Sequence, residues 1–294
     1  MTGQALLAPP AARLLHMDEA AFRAGFDRRP FLIRHHLSSH PLFASPRLLE
    51  LARTLPEADI EYNAGDLPVS VAPELTPRTG LTVEETIRRI AECRSWMVLK
   101  RVEHDPAYRA LLHQCLAEVK ELSEPLRPGM HFAQGFIFLS SPGSITPYHM
   151  DPEHNFLLQI RGTKRVHQWD PRDRTVLSEQ DLERFYGGAH RNMVLGEAQR
   201  ARATIVDLEP GIGLHFPVTA PHFVQNGPEV SLSFSITFRT PDLERRSVVY
   251  AVNGDLRRRG WRPSAFGVHP WRDGLKHIAF RAWRRAWRLA GRSV

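Results

Sequence analysis

Cysteine is scarce in this chain. Cys93 and Cys115 are the only two among 294 residues, too few for a disulfide scaffold. Both therefore read as reduced thiols of a cytoplasmic protein, serving packing rather than ligation. No run of about 18 apolar residues is present, which excludes a transmembrane helix. The first nineteen residues lack a basic segment followed by an apolar run, so no secretory signal is expected. Internal repeats and low-complexity segments are also missing, which argues against a solenoid or a disordered chain. What remains is 42% hydrophobic and 24% charged, ordinary for a globular protein with a sizeable core. At roughly 150 residues per domain, the length allows one large domain or two small ones.

Acidic residues are sparse at one end only. Between Asp255 and Val294 there are 11 Lys and Arg against 2 Asp, leaving 28 basic and 30 acidic residues for the rest. The net charge of +7 is thus a property of the tail, and any polyanion binding must rest there. The tail also carries Trp261, Trp271, Trp283 and Trp287. Leu275, Ile278, Ala279, Ala282, Ala286 and Leu289 recur at helical spacing, with Arg281, Arg284, Arg285 and Arg288 on other faces. That predicts an amphipathic helix over Leu275–Leu289. It would dock on its own domain, build a homodimer, or meet RNA or another polyanion.

Three regions follow from the texture. Residues 1–125 read as mixed and mainly helical, with helices over Met17–Phe26, Ser45–Leu55, Thr82–Cys93 and Pro106–Leu122. Short extended pieces, Phe31–Arg34, Leu67–Val71 and Trp96–Lys100, lie between them. After the turn-rich break at 124–129, residues 126–245 read as β. Runs at His131–Leu139, Phe156–Arg161, Arg165–Trp169, Thr204–Leu208, Gly213–Phe216 and Val230–Phe238 suggest a small antiparallel barrel or jelly roll. The last run alternates strictly, so its serines, among them Ser235, would face a polar lumen. Residues 246–294 form the basic extension.

The strongest local signal is Thr146-Pro-Tyr-His-Met-Asp151. On an extended strand His149 and Asp151 point to the same side, so an imidazole and a carboxylate can reach one metal. Taken alone, such a pair is common as a local cap. A third ligand must come from afar, and His222, in a proline-framed bend, is the best candidate. Two His and one carboxylate with open positions make the arrangement of non-haem Fe(II) oxygenases. Further on, Gly162-Thr163 turns the chain and Lys164 opens a strand. A lysine pointing into a barrel needs an anion. The distal carboxylate of 2-oxoglutarate would supply one, with the Thr146 hydroxyl as a second donor.

The stretch TPYHMDPEHNFLLQIRGTKRVHQWDP, then LHFPVTAPHFVQNG and the alternating final strand, resembles the cupin-like JmjC family. Those are Fe(II)- and 2-oxoglutarate-dependent oxygenases built on a double-stranded β-helix. The likeness spans about Trp96 to Arg239, half the chain. It implies that His149, Asp151 and His222 hold iron, and that Lys164 and Thr146 bind the distal carboxylate. It implies that Asn155 lies near the cosubstrate, and Ser235 falls at a position often occupied by a larger polar residue. Phe138 is expected to line the pocket. Phe136, Phe156, Leu158 and Trp169 are expected as lining or packing that keeps water out.

Rivals stand beside these assignments. His215 competes with His222 as third ligand, or lines the cosubstrate pocket instead. Arg239 competes with Lys164 for the carboxylate. His154 and His167 read as surface or rim residues, and His131 as a possible pocket residue. The functional expectation is a hydroxylase consuming 2-oxoglutarate and O₂, acting on a protein, peptide or modified RNA base. A metal-dependent lyase or isomerase, which would have no use for Lys164, and a non-catalytic binding protein are the alternatives.

Overall fold

A computed structural model of the chain describes residues 13–72, 75–77 and 79–289. Of the first nineteen residues, on which the secretory-signal expectation rests, twelve lie outside that range. In chain order the elements are β1 (Leu15–His16), α1 (Glu19–Gly25), β2 (Phe31–His35), α2 (Ser45–Thr54), β3 (Ile60–Ala64), α3 (Val83–Arg88), β4 (Ser95–Leu99) and α4 (Pro106–Ser123). Then come β5 (His131–Ser140), β6 (Ile145–His149), β7 (His154–Arg161), β8 (Lys164–Gln168), α5 (Glu179–Tyr186) and α6 (Glu197–Arg200). The chain continues through β9 (Thr204–Leu208), β10 (Ile212–Phe216), β11 (His222–Asn226), β12 (Ser231–Arg239), α7 (Pro241–Arg258) and α8 (Pro270–Leu289).

Two antiparallel sheets result. One orders its strands β1-β2-β10-β7-β12-β5-β4-β3, and the other β6-β11-β8-β9. From β5 onward the chain alternates between them, β8 and β9 being the one consecutive pair that stays in the same sheet. This is the expected double-stranded β-helix, a cupin-like barrel with flanking helices. Every serine and threonine of β12 is buried, because the sheet is covered on both sides. Leu232, Phe234, Ile236 and Phe238 pack outward against Phe22, Phe43, Leu112 and Cys115 from the N-terminal region. The serines face the lumen, where Ser233 donates to Gln159 Oε1 at 2.6 Å and Ser235 to Asn155 Oδ1 at 2.7 Å. Period two thus divides the outer core from the polar interior. Phe234 has no exposed surface and meets the Phe43 ring at 5.5 Å between centroids. Phe234→Ala should destabilise the fold by about 3–5 kcal/mol, read as a lower denaturant midpoint with an unchanged slope.

Four local expectations differ from the structure. The strand near the start of the second hairpin is Ile60–Ala64, paired with β4, not Leu67–Val71. Pro68 has no N–H to give a ladder. That segment instead lends isolated carbonyls, Val69 O accepting from Tyr148 N at 2.7 Å. The helix expected over Thr82–Cys93 ends at Arg88, though Thr82 caps it with a full capping box. Helices α5 and α6 had not been anticipated, whereas β11 does start at His222, after the proline-framed bend. Finally, α8 forms, but it docks on α7 by its polar edge. Lys276 Nζ donates to Asn253 Oδ1 at 2.6 Å, and Asp273 is buried. Trp271, Leu275, Ile278 and Trp283 of the apolar stripe face outward. The side chains of Trp287, Arg288 and Leu289 lie outside the described set.

Candidate active site

Strand β6 delivers Thr146 and His149 to the lumen, and the chain leaves it through Asp151. Strand β11 begins at His222, directly opposite His149, and its register shifts between His222 and Val224. The bulge turns the imidazole toward the mouth of the barrel. Thr219, held at φ +61°, donates its N–H to Asp151 O at 2.8 Å, and its hydroxyl accepts from Arg246 of α7 at 3.0 Å. This stitch ties the ligand-bearing loop of one strand to the bend that precedes the other.

The three side chains converge. Nε2 of His149 lies 3.6 Å from Asp151 Oδ2 and Nε2 of His222 lies 3.7 Å from the same oxygen. One candidate ligand atom from each residue lies within 4.8 Å of the others, a set that could hold a metal ion. The other ring nitrogens are engaged. His149 Nδ1 meets Pro147 O at 2.7 Å and His222 Nδ1 meets Ala220 O at 2.9 Å. A carbonyl can only accept, so both Nδ1 atoms carry the proton and both Nε2 lone pairs face the site. Burial pushes His222 down to about 3, with His149 adding to the effect, so its ring is neutral. Burial alone would raise the Asp151 carboxyl, but His149, Arg191 and His222 outweigh it and hold it well below the usual range. A neutral His222 ring and an ionised Asp151 are the protonation states a divalent metal requires of those two ligands.

A cavity of about 690 Å³ opens beside them. Thr146, Phe136, Phe138, Trp96 and Val98 form its walls. Glu61, Lys100, Glu153, Arg191 and Asn192 also line it. Lys164 is 5% exposed and turns inward with Val166 and Gln168. Its Nζ sits 5.6 Å from the centre of the Phe138 ring, so it lies behind that wall of the cavity and is not itself one of the lining residues. Among the described residues no carboxylate lies within ion-pair distance of it. Burial pushes this ammonium down to about 7. The Gln168 amide nearby in the same strand is also buried without a partner. A buried ammonium of this kind is costly unless an anion meets it, and a diacid's carboxylate has the matching charge.

Several expected residues land elsewhere. Asn155 and Ser235 bond to one another within the lumen and do not line the cavity. His215 is neither ligand nor pocket residue. Alternation along β10 sends it to the outer face, where it packs against Phe26, Phe31 and Phe156. His154 is not a surface residue. It is fully buried and stacked on Phe26, because α1 covers its strand. His167 is half-buried, stacked on Phe223. His131 sits at the start of β5, bonded to Glu244 and away from the cavity. Arg239 pairs with Glu153 at 2.5 Å and covers the Phe132 ring, whereas Lys164 has no ion-pair partner among the described residues. Phe156 and Leu158 pack in the outer core, and Trp169 packs on Tyr148 and Phe223. Arg191 had gone unnoticed. It is forty residues from Asp151 and no local pattern marks it.

A closed pair of sheets with two imidazoles and a carboxylate at its mouth defines a cupin-type fold with a candidate metal site. A family model described as a cupin-like domain matches residues 85–249, more than half of the sequence, and the chain belongs to that family, as the JmjC likeness implied. Among solved structures it is similar to the ribosomal oxygenase YcfD of Escherichia coli in complex with cobalt and 2-oxoglutarate. That match has 18% identity and a TM-score of 0.52, covering 88% of this chain and 61% of the other. A second YcfD structure matches at 17% identity and TM-score 0.52, covering 87% and 62%. The chain thus spans about three fifths of the length of these structures, and at such identity the likeness is one of fold. Among the described residues no helix is long and apolar enough to cross a membrane.

Proposed function

We propose that the protein is an Fe(II)- and 2-oxoglutarate-dependent oxygenase that hydroxylates a protein or peptide side chain, with a modified RNA base as the second substrate class. The observation that carries this reading is the convergence of His149, Asp151 and His222 on one point beside a cavity, with a buried lysine behind its Phe138 wall. In the reaction, 2-oxoglutarate loses CO₂ and gains one oxygen atom to become succinate. The other atom of O₂ enters a substrate C–H bond. When bound, the metal supplies adjacent positions for the 2-oxo acid and for O₂.

The chain's own residues do the rest. His149, Asp151 and His222 would hold the metal. Lys164 pairs with the distal carboxylate, and the Thr146 hydroxyl donates to it. The cosubstrate is then fixed at both ends, which aligns decarboxylation with the substrate bond. Phe136, Phe138 and Trp96 keep water from the reacting groups. The likeness to a ribosomal oxygenase supports a ribosomal protein side chain as the first substrate to try.

The test is anaerobic addition of Fe(II), then 2-oxoglutarate, to the full chain. A weak visible charge-transfer band that requires both is expected, and O₂ should then release succinate. Incubated ribosomal peptides and tRNAs should gain about one oxygen in mass. A band indifferent to 2-oxoglutarate would indicate a lyase or isomerase instead. Absence of metal binding would overturn the enzyme reading altogether.

A further inference from the structure

Arg191 is a charged side chain at the cavity with no part in the scheme above. It lies in the connection between α5 and α6, and its Nη1 donates to Asp151 Oδ1 at 3.0 Å. Both histidine Nε2 atoms approach the other oxygen, Oδ2. The two oxygens of one carboxylate therefore have separate partners. The segment carrying Arg191 is itself fastened to β6. Met150 N donates to Arg191 O at 3.3 Å, Met193 N donates to Tyr148 O at 2.9 Å, and His149 and Asn192 form an isolated antiparallel bridge. Asn192 Nδ2 adds a bond to Val71 O at 3.0 Å. In effect residues 191–193 extend the small sheet by one short edge, alongside the strand that ends in His149.

We infer that Arg191 is a positioning residue whose guanidinium, held by this edge pairing, occupies Asp151 Oδ1 so that the carboxylate offers only Oδ2 to a metal shared with His149 and His222. The inference rests on the metal reading of the preceding section. Its physical basis is the softness of the carboxylate torsion, which is broad and nearly two-fold. A free Asp can rotate, or bind through both oxygens. A charge-assisted bond to one oxygen removes that freedom before the metal arrives. Arg191 is 37% exposed as a side chain and its backbone makes the edge bonds. Shortening the side chain leaves those bonds in place, so the fold should persist.

Co(II) serves as the probe, added to the metal-free full chain and followed by calorimetry and by its visible ligand-field spectrum. Wild-type binding establishes the metal reading independently. For Arg191→Gln we expect Co(II) affinity to fall by about 10–100-fold, a changed band position or intensity, and an unchanged unfolding temperature. Arg191→Lys, which keeps the charge without the fork, should recover part of the affinity. In an Asp151→Asn background the Arg191→Gln change should cost nothing further, since its partner is already altered. Wild-type affinity and spectrum in Arg191→Gln would overturn the inference while leaving the metal site standing. Loss of affinity with an equal loss of folding, not rescued by Arg191→Lys, would assign Arg191 a structural role and overturn it as well. A wild-type chain that ignores Co(II) would remove both readings.

Discussion

Asp151→Ala abolishes metal-dependent turnover: succinate release from 2-oxoglutarate falls on the order of 10³-fold or more, beyond the ~10–100-fold that follows loss of an outer-shell partner. The reason is the composition of the site. Asp151 supplies its only carboxylate, and the remaining two ring nitrogens are neutral ligands. Without that charge a divalent cation has no compensating anion in a pocket where His149 is 6% and His222 5% exposed. The fold should survive the change. Arg191, the partner left behind, is partly exposed and turns to water, and the stitch from Thr219 uses the backbone of residue 151. Circular dichroism and the unfolding midpoint should therefore stay near wild type while the Fe(II) and 2-oxoglutarate band disappears. Turnover above a tenth of wild type would refute the ligand assignment.

Lys164→Met should work in opposite directions on function and stability. Removing one partner of a buried ion pair costs about 3–5 kcal/mol, so the dissociation constant for 2-oxoglutarate should rise by about 10²–10³-fold, measured by calorimetry with Co(II) present. The protein without cosubstrate should instead become more stable. Burial lowers the folded-state ammonium from its ordinary 10.5 to about 7. Below pH 7 the wild-type fold carries a buried, unpaired charge, and its penalty is then complete. Between pH 7 and 10.5 the unfolded chain binds the extra proton, so wild-type stability rises with pH. Above 10.5 both states are neutral. The advantage of Lys164→Met is therefore greatest below pH 7, shrinks across that window and vanishes above it. Urea midpoints at pH 6, 8.5 and 10.5 read this directly. Saturating 2-oxoglutarate with Co(II) should erase the difference at pH 6 by stabilising only the wild type. Equal affinity for 2-oxoglutarate in the two proteins would sink the role given to Lys164.

Much of this site lies open in the primary structure, for reasons that are local. Side-chain alternation put the serines of β12 inside and its aromatics outside. A histidine two residues from an aspartate at a strand end put both on one side. Gly162 marked the turn that aims Lys164, since at φ +66° any side chain would strike Val230 O. The bend Pro217–Pro221 announced His222. These signals depend on steric rules that act within a few residues.

Other features depend on which element covers which, and no short window carries that information. His154 reads from the sequence as a surface or rim residue, since no neighbour in the chain shows which element will cover it. It is the Phe26 ring from the first helical segment that seals it. His215 stood as a rival to the favoured His222 until strand pairing put His215 on the outer face of the large sheet and His222 in the small sheet opposite His149. The same holds for α8, whose apolar stripe suggested a docking face while its polar edge does the docking.

The amino-acid order alone settled the alternation of strands, the turn that presents Lys164, and the placing of His149 and Asp151 side by side at a strand end, because backbone sterics and side-chain period are local. Tertiary packing decided that His222 meets His149 across β11 and β6, that Arg191 grips one oxygen of Asp151, and that Lys164 is left without a counterion. Those are contacts between segments tens of residues apart, and burial and charge at such points exist only once the two sheets have closed on each other.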